Sequence, residues 1–167
     1  KPGAAVHVPP TDIPNIGRFA MVADPQSAVF SLFKPVSDMP PSADPATPGT
    51  IGWHELMAGD GEKAFAFYAE LFGWTKDEAL DMGAMGRYQL FAAGGPAIGG
   101  MMTKPAEVPA PFWSYYFRVD AVGAALERLK KEGGQVINGP MEVPGGDWIV
   151  QGIDPQGAMF SLVRRQA

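Results

Sequence analysis

The chain contains no cysteine, which removes disulfides, thiol nucleophiles and cysteine-held zinc together. Histidine occurs only as His7 and His54. Basic residues never gather beyond single pairs such as "KK" and "RR", and the net charge is -5. Phosphate neutralisation needs a basic face, so no nucleic-acid partner is expected. No apolar run approaches the roughly 20 residues that span a bilayer, and the first residues do not read as a signal peptide. No membrane partner is expected, and the location expected is cytoplasmic. Gly-rich stretches such as "AAGGPAIGG" and "PGGD" lack both GxGxxG between strand and helix and a Lys-Ser or Lys-Thr pair behind them, so they read as turns. Ser31, Ser114 and Ser161 have no histidine in any arguable relay, which leaves triad-type catalysis without support.

What is present is a repeat. "DPQSAVFSLFKP" at 24–35 returns as "DPQGAMFSLVRR" at 154–165, and at that offset of 130 residues 3–33 and 133–163 share 11 identities in 31 positions without a gap. A weaker echo at offset 60 sets Trp53, Asp60, Ala64 and Gly73 against Trp113, Asp120, Ala124 and Gly133. The 167 residues, 46% of them hydrophobic, are enough for one full domain with a sizeable core.

Residues 4–8, 18–23 and 28–33 read as strands, followed by the proline-rich linker 35–49. A fresh pattern then starts: a strand at 51–57, Asp60 as a cap, and a helix at 61–72 with Ala64, Phe67, Tyr68, Leu71 and Phe72 on one face. Gly73 stops it. "RYQLFAA" and "AIGGMMT" follow as strands. The pattern begins again with a strand at 112–119, Asp120 as cap, and a helix at 121–132 whose inner face carries Val122, Ala125, Leu126 and Leu129. Gly133 stops that helix, and strands follow near 135–143, 147–152 and 158–164. The fold class expected is α+β, with paired βαβββ modules at 50–103 and 111–167 and a ligand in the hollow between them.

"GWHELMAGDGEKAFAFYAELFGW" and "GGQVINGPMEVPGGDWIVQGIDPQGAMFSL" closely resemble the glyoxalase/bleomycin-resistance/extradiol-dioxygenase superfamily, the vicinal oxygen chelate proteins. The resemblance covers 50–165 and is nearest the bacterial tandem-domain branch. It implies that residues 1–34 are the last three strands of an incomplete first domain, joined by 35–49 to a complete domain at 50–167. Metal-binding members hold a divalent ion with His and Glu on the concave strands. Carried over position by position, those places hold Trp53, Ser161 (Ser31 in the first copy) and Trp113 or Ser114, and "AIGGMM" offers no ligand. Trp and Gly cannot coordinate and neutral Ser is a poor ligand, so no metal and no cofactor are expected.

His54 and Glu55 are neighbours in a strand and point to opposite faces, so they cannot share an ion. His54 reads as packed or partly exposed, and His7 as structural or solvent-facing. Glu55 shares a face with Trp53 and Met57 under plain alternation. It is either a desolvated carboxylate suited to proton transfer or an acceptor for Arg87 or a Tyr hydroxyl. Trp113, Tyr115 and Phe117 form the matching stripe of the second module, with Trp148 joining from a later strand. Such stripes are core or pocket wall. The nine methionines suit an adaptable pocket and an ordinary core equally. The expected function is metal-free binding of a small apolar or aromatic molecule by Trp53, Met57, Arg87, Trp113, Tyr115, Phe117 and Trp148. The alternative is a glyoxalase-like or hydroxylase-like enzyme using Glu55, with Tyr115 as a second candidate, for proton transfer. The uncovered apolar residues of 4–33 lead to the expectation of a homodimer.

Overall fold

Asp60 caps the first helix as its spacing predicts, its carboxylate accepting from the Lys63 amide at 3.1 Å, and Gly73 ends that helix in the left-handed region at φ 71°. The computed structural model describes residues 3–37, 44 and 46–164. Residues 38–43 and 45 of the linker thus lie outside the described residues. The chain divides into two compact units, with boundaries that fall inside two of its strands.

The first unit joins the described residues up to 37 with Leu56–Trp113. Strands β1 (Ala5–Ile13), β2 (Gly17–Ala23) and β3 (Val29–Pro35) form an antiparallel sheet in that order. The end of β4 (Ile51–Ala58), helix α1 (Gly61–Phe72), β5 (Thr75–Asp81), β6 (Arg87–Ala92) and β7 (Ala97–Thr103) complete the unit, with strand order β5-β6-β7-β4. Strand β5 is absent from the sequence reading. Its sequence TKDEALD is largely exposed at the sheet edge, where charged residues are favoured and no apolar alternation arises.

The N-terminal strands lie on α1. Ala28 is fully buried in the core with Leu56, Phe67 and Tyr68, and the Phe30 ring meets Phe67, Tyr68 and Phe72 edge-on at 5.5–6.4 Å. The Asp24 carboxylate, 3% exposed, accepts from the amides of Gln26 and Ala28 and from the Tyr68 hydroxyl at 3.1 Å. Gln26 reaches the chain just before α1, donating to the Asp60 carbonyl at 3.0 Å and accepting from the Asp60 amide. This contact ties residues 34 apart.

The second unit comprises the described residues from 44 to Glu55 and from Ser114 to 164. It holds the start of β4, β8 (Phe112–Arg118) apart from its first two residues, helix α2 (Val122–Lys131), β9 (Gln135–Glu142), β10 (Trp148–Ile153) and β11 (Met159–Arg164), in the order β4-β8-β11-β10-β9. Val122 and Ala125 of α2 pack on Val150 and Leu162, with Leu126, Val136 and Phe160 partly buried around them. Asp120 does not cap α2. The helix begins at Val122, so the capping position falls one residue later, on Ala121, which offers no side-chain acceptor. Gly133, at φ 85°, follows the helix end as expected.

The repeat is structural as well as verbal. Asp154 accepts from the Gln156 and Ala158 amides at 2.9 and 2.8 Å, as Asp24 accepts from Gln26 and Ala28 at 2.8 and 2.9 Å. Ser27 and Gly157 occupy the same turn position, both with positive φ, at 77° and 91°. The surroundings differ: Ala28 is fully buried, whereas Ala158 and Gln156 are exposed.

Candidate functional site

Strand β8 inverts the usual pattern. It buries Ser114, Tyr116 and Arg118 to 5, 3 and 9% exposure, and leaves Tyr115 and Phe117 at 40 and 38%. Scattered exposed aromatics are ordinary, but buried polar groups call for partners. The parallel pairing Ser161↔Tyr116 and Val163↔Arg118 sets the buried residues beside alternate residues of β11. Since Leu162 and Val150 lie under α2, period-two alternation turns Ser161, Val163 and Gln151 to the opposite face of the sheet.

On that face the Tyr116 hydroxyl donates to Glu55 Oε1 at 2.9 Å and accepts from Gln151 Nε2 at 2.9 Å. Gln151 Oε1 in turn accepts from Asn138 Nδ2 at 3.1 Å. The Ser114 and Ser161 hydroxyls bond each other at 3.0 Å. Glu55 is 8% exposed. Burial, then the Glu55 charge and the bond to it, push the Tyr116 phenol far above the ordinary tyrosine range, against the opposing pull of Gln151 and Ser161. The phenol is therefore a neutral donor held on a carboxylate. Alternation adds Met159, Ile149 and Ile153 to the same face, giving a polar centre with an apolar surround.

The residues singled out from the sequence separate. His54 meets the Tyr115 ring edge-on at 5.8 Å while Glu55 meets Tyr116, so adjacent residues of β4 do point apart. The β8 stripe beside Glu55 is Ser114, Tyr116 and Arg118, not Trp113, Tyr115 and Phe117. Alternation within one strand cannot tell which stripe faces a partner; the register between the strands decides it. Trp113 belongs to the aromatic core of the first unit, its indole N–H donating to the Tyr68 hydroxyl at 3.0 Å and its ring meeting Tyr68 at 5.3 Å. Arg87 is exposed on β6, turned to Gln89 at 3.3 Å and Glu62 at 4.0 Å rather than to Glu55. Trp53 and Met57 are half-buried on β4. Trp148, 37% exposed, helps line a surface cavity of about 350 Å³ with Arg164 and the start of α2. Tyr116, Arg118, Gln151 and Asn138 escaped the sequence reading. The polar alternation Ser-x-Tyr-x-Arg in β8 was the available signal.

A family model described as Glyoxalase/Bleomycin resistance protein/Dioxygenase superfamily matches residues 50–162. The chain belongs to this superfamily. A putative glyoxylase, CFP32, of Mycobacterium tuberculosis is 32% identical over 162 residues, covering 97% of this chain and 61% of that protein. The anthracycline biosynthesis protein DnrV of Streptomyces peucetius is 31% identical over 132 residues, covering 71% and 48%. The chain thus spans about three fifths or less of the length of these curated relatives. A methylmalonyl-CoA epimerase variant of Streptomyces coelicolor, solved with 2-nitronate-propionyl-CoA, superposes with a TM-score of 0.57 at 16% identity over 72% of this chain and all of that one, a likeness of fold.

The divalent ion common in glyoxalase relatives does not fit the residues present. Among the described residues no three His, Cys, Asp or Glu side chains gather into a metal-holding group. The hydroxyls of Ser114 and Ser161, at two of the transferred positions, are engaged with each other. No helix among the described residues is long and apolar enough to cross a membrane.

Proposed function

We propose that this glyoxalase-superfamily chain binds a small, flat, largely apolar organic molecule on the Glu55–Tyr116 face of its second unit, with the ligand's polar group meeting Tyr116, Ser114 or Ser161. The inverted burial of β8 carries the reading, because a cluster of buried hydroxyls and one carboxylate within an apolar surround suits a mostly apolar ligand with one polar anchor. The similarity to a relative named for anthracycline biosynthesis supports an aromatic ligand. A panel of planar aromatic compounds titrated against tryptophan fluorescence tests it. Saturable quenching is expected, weakened at least tenfold by Ser161→Phe, which fills the polar centre. Quenching by no compound at solubility, or affinity indifferent to Ser161→Phe and Glu55→Gln alike, would sink the reading.

A second reading is proton transfer by Glu55, favoured by the Tyr116 donor at 2.9 Å that steadies a carboxylate. In that case a bound carbon acid exchanges hydrogen with deuterated solvent in the presence of the protein, and Glu55→Gln abolishes the exchange. Exchange that survives this substitution rules out Glu55 as the base.

A further inference from the structure

Two amides, one of them at the surface, stand behind Tyr116. A phenol hydroxyl has one proton to give, and Glu55 and the Gln151 side chain both lie at 2.9 Å from it. Which neighbour receives the proton depends on which end of the Gln151 amide faces the ring. The Gln151 nitrogen faces Tyr116, and its oxygen is occupied by the Asn138 Nδ2 donor at 3.1 Å. Turning the Gln151 amide alone would set two NH2 groups against each other. Turning both amides would draw the phenol proton to Gln151 and take a donor from the buried Glu55, which is costly for a carboxylate.

We infer that Asn138 and Gln151 are positioning residues that commit the Tyr116 proton to Glu55. This rests on the reading above that the Glu55–Tyr116 face is the functional one, and it names what sets that face's donor and acceptor pattern. Asn138 lies exposed on β9, joined to the face through a chain of three hydrogen bonds. A change of one atom type at the surface should then reorient a hydroxyl in the interior.

The test is NMR of the full chain labelled with ¹³Cζ-tyrosine, which has four tyrosines to assign. Asn138→Asp puts an acceptor against the Gln151 oxygen and forces that amide to turn. The Tyr116 ¹³Cζ and hydroxyl-proton resonances are expected to leave their wild-type positions and approach those of Glu55→Gln, whereas Asn138→Ala moves them less. Gln151→Glu, which offers Tyr116 only acceptors, is expected to act as Asn138→Asp does. Unmoved Tyr116 resonances in Asn138→Asp and Gln151→Glu, or shifts in Asn138→Ala as large as in Asn138→Asp, would overturn the proposal. No ligand is needed, so failure to find one leaves this result standing, and ligand binding alongside unmoved resonances removes only the positioning role.

Discussion

Tyr116→Phe deletes one oxygen and little else, since the ring is 3% exposed and keeps its packing. The loss strikes three groups: the Glu55 carboxylate loses a donor at 2.9 Å, Gln151 Nε2 loses its acceptor, and Ser161 loses a polar neighbour. A hydrogen bond to a charged group contributes about 1.5–3 kcal/mol net, and a buried donor left unsatisfied costs about 1–3 kcal/mol. Partial relaxation of Gln151 toward Asn138 trims the sum, so a destabilisation of about 3 kcal/mol is expected. For a chain of this length that corresponds to a melting temperature lower by roughly 6–12 °C. Calorimetry at neutral pH reads it directly. The control is its neighbour: Tyr115→Phe, at a ring 40% exposed, should stay within about 0.5 kcal/mol of wild type. A cycle with Glu55→Gln should show coupling of about 1 kcal/mol or more, because the two groups share one bond. Equal melting of the two Phe variants, or additivity in the cycle, would refute the assignment of Glu55 to Tyr116.

Other outcomes follow from the same geometry. Tyr116, whose phenol ionises near 10.0 when unperturbed, is held neutral in the folded chain; its stabilisation is therefore complete below pH 10 and is lost as pH rises above it. Chemical denaturation between pH 8 and 11.5 should show a steeper alkaline fall in wild type than in Tyr116→Phe. Ser27→Gly removes a side chain from a positive-φ position that the twin turn fills with Gly157, and should stabilise by a few tenths to about 1 kcal/mol in urea titrations; a loss of stability would show that the side chain of Ser27 matters more than its backbone. Deleting residues 1–37 takes Ala28 and Phe30 from α1, so the remaining chain should melt cooperatively but at lower temperature, and loss of all cooperativity would show that residues 50–167 are not self-sufficient. Metal analysis of dialysed protein should find far less than one equivalent of zinc, iron, nickel or manganese, and an equimolar, dialysis-resistant metal would contradict the donor set described.

The elements that sequence discloses best are those whose signals are local. Asp60, Gly73 and Gly133 mark helix ends through their own side chains or backbone freedom, and the 130-residue repeat needs no geometry to be seen. The misreadings concern relations between strands. Strand β5 is an exposed, charged edge, which resembles a loop until its partner β6 is in place. Asp120 has the right chemistry for a cap but sits one residue too early, a shift of the size at which helix boundaries generally blur. Glu55 was legible as a carboxylate of interest. Its partner was not, because Tyr115 and Tyr116 are adjacent, and only the pairing of β4 and β8 chooses between them. Arg87 had the right charge for Glu55, yet β6 carries it to Glu62 in the first unit.

The two Asp-Pro-Gln turns give the protein chemist one place to work and one to leave alone. The turn at 24–28 is sealed by α1, so a peptide tag or dye inserted there must break the Gln26 contacts to Asp60 and pull Ala28 from the core. The turn at 154–158 has the same backbone bonds with its Gln and Ala side chains in solvent, and Gly157 already accommodates the positive φ at its tip. A fluorophore, affinity handle or spin label attached at Gln156 would report on the second unit without disturbing the core of either, and the Asp-Pro-Gln shared by the two turns gives no hint of how differently they are buried.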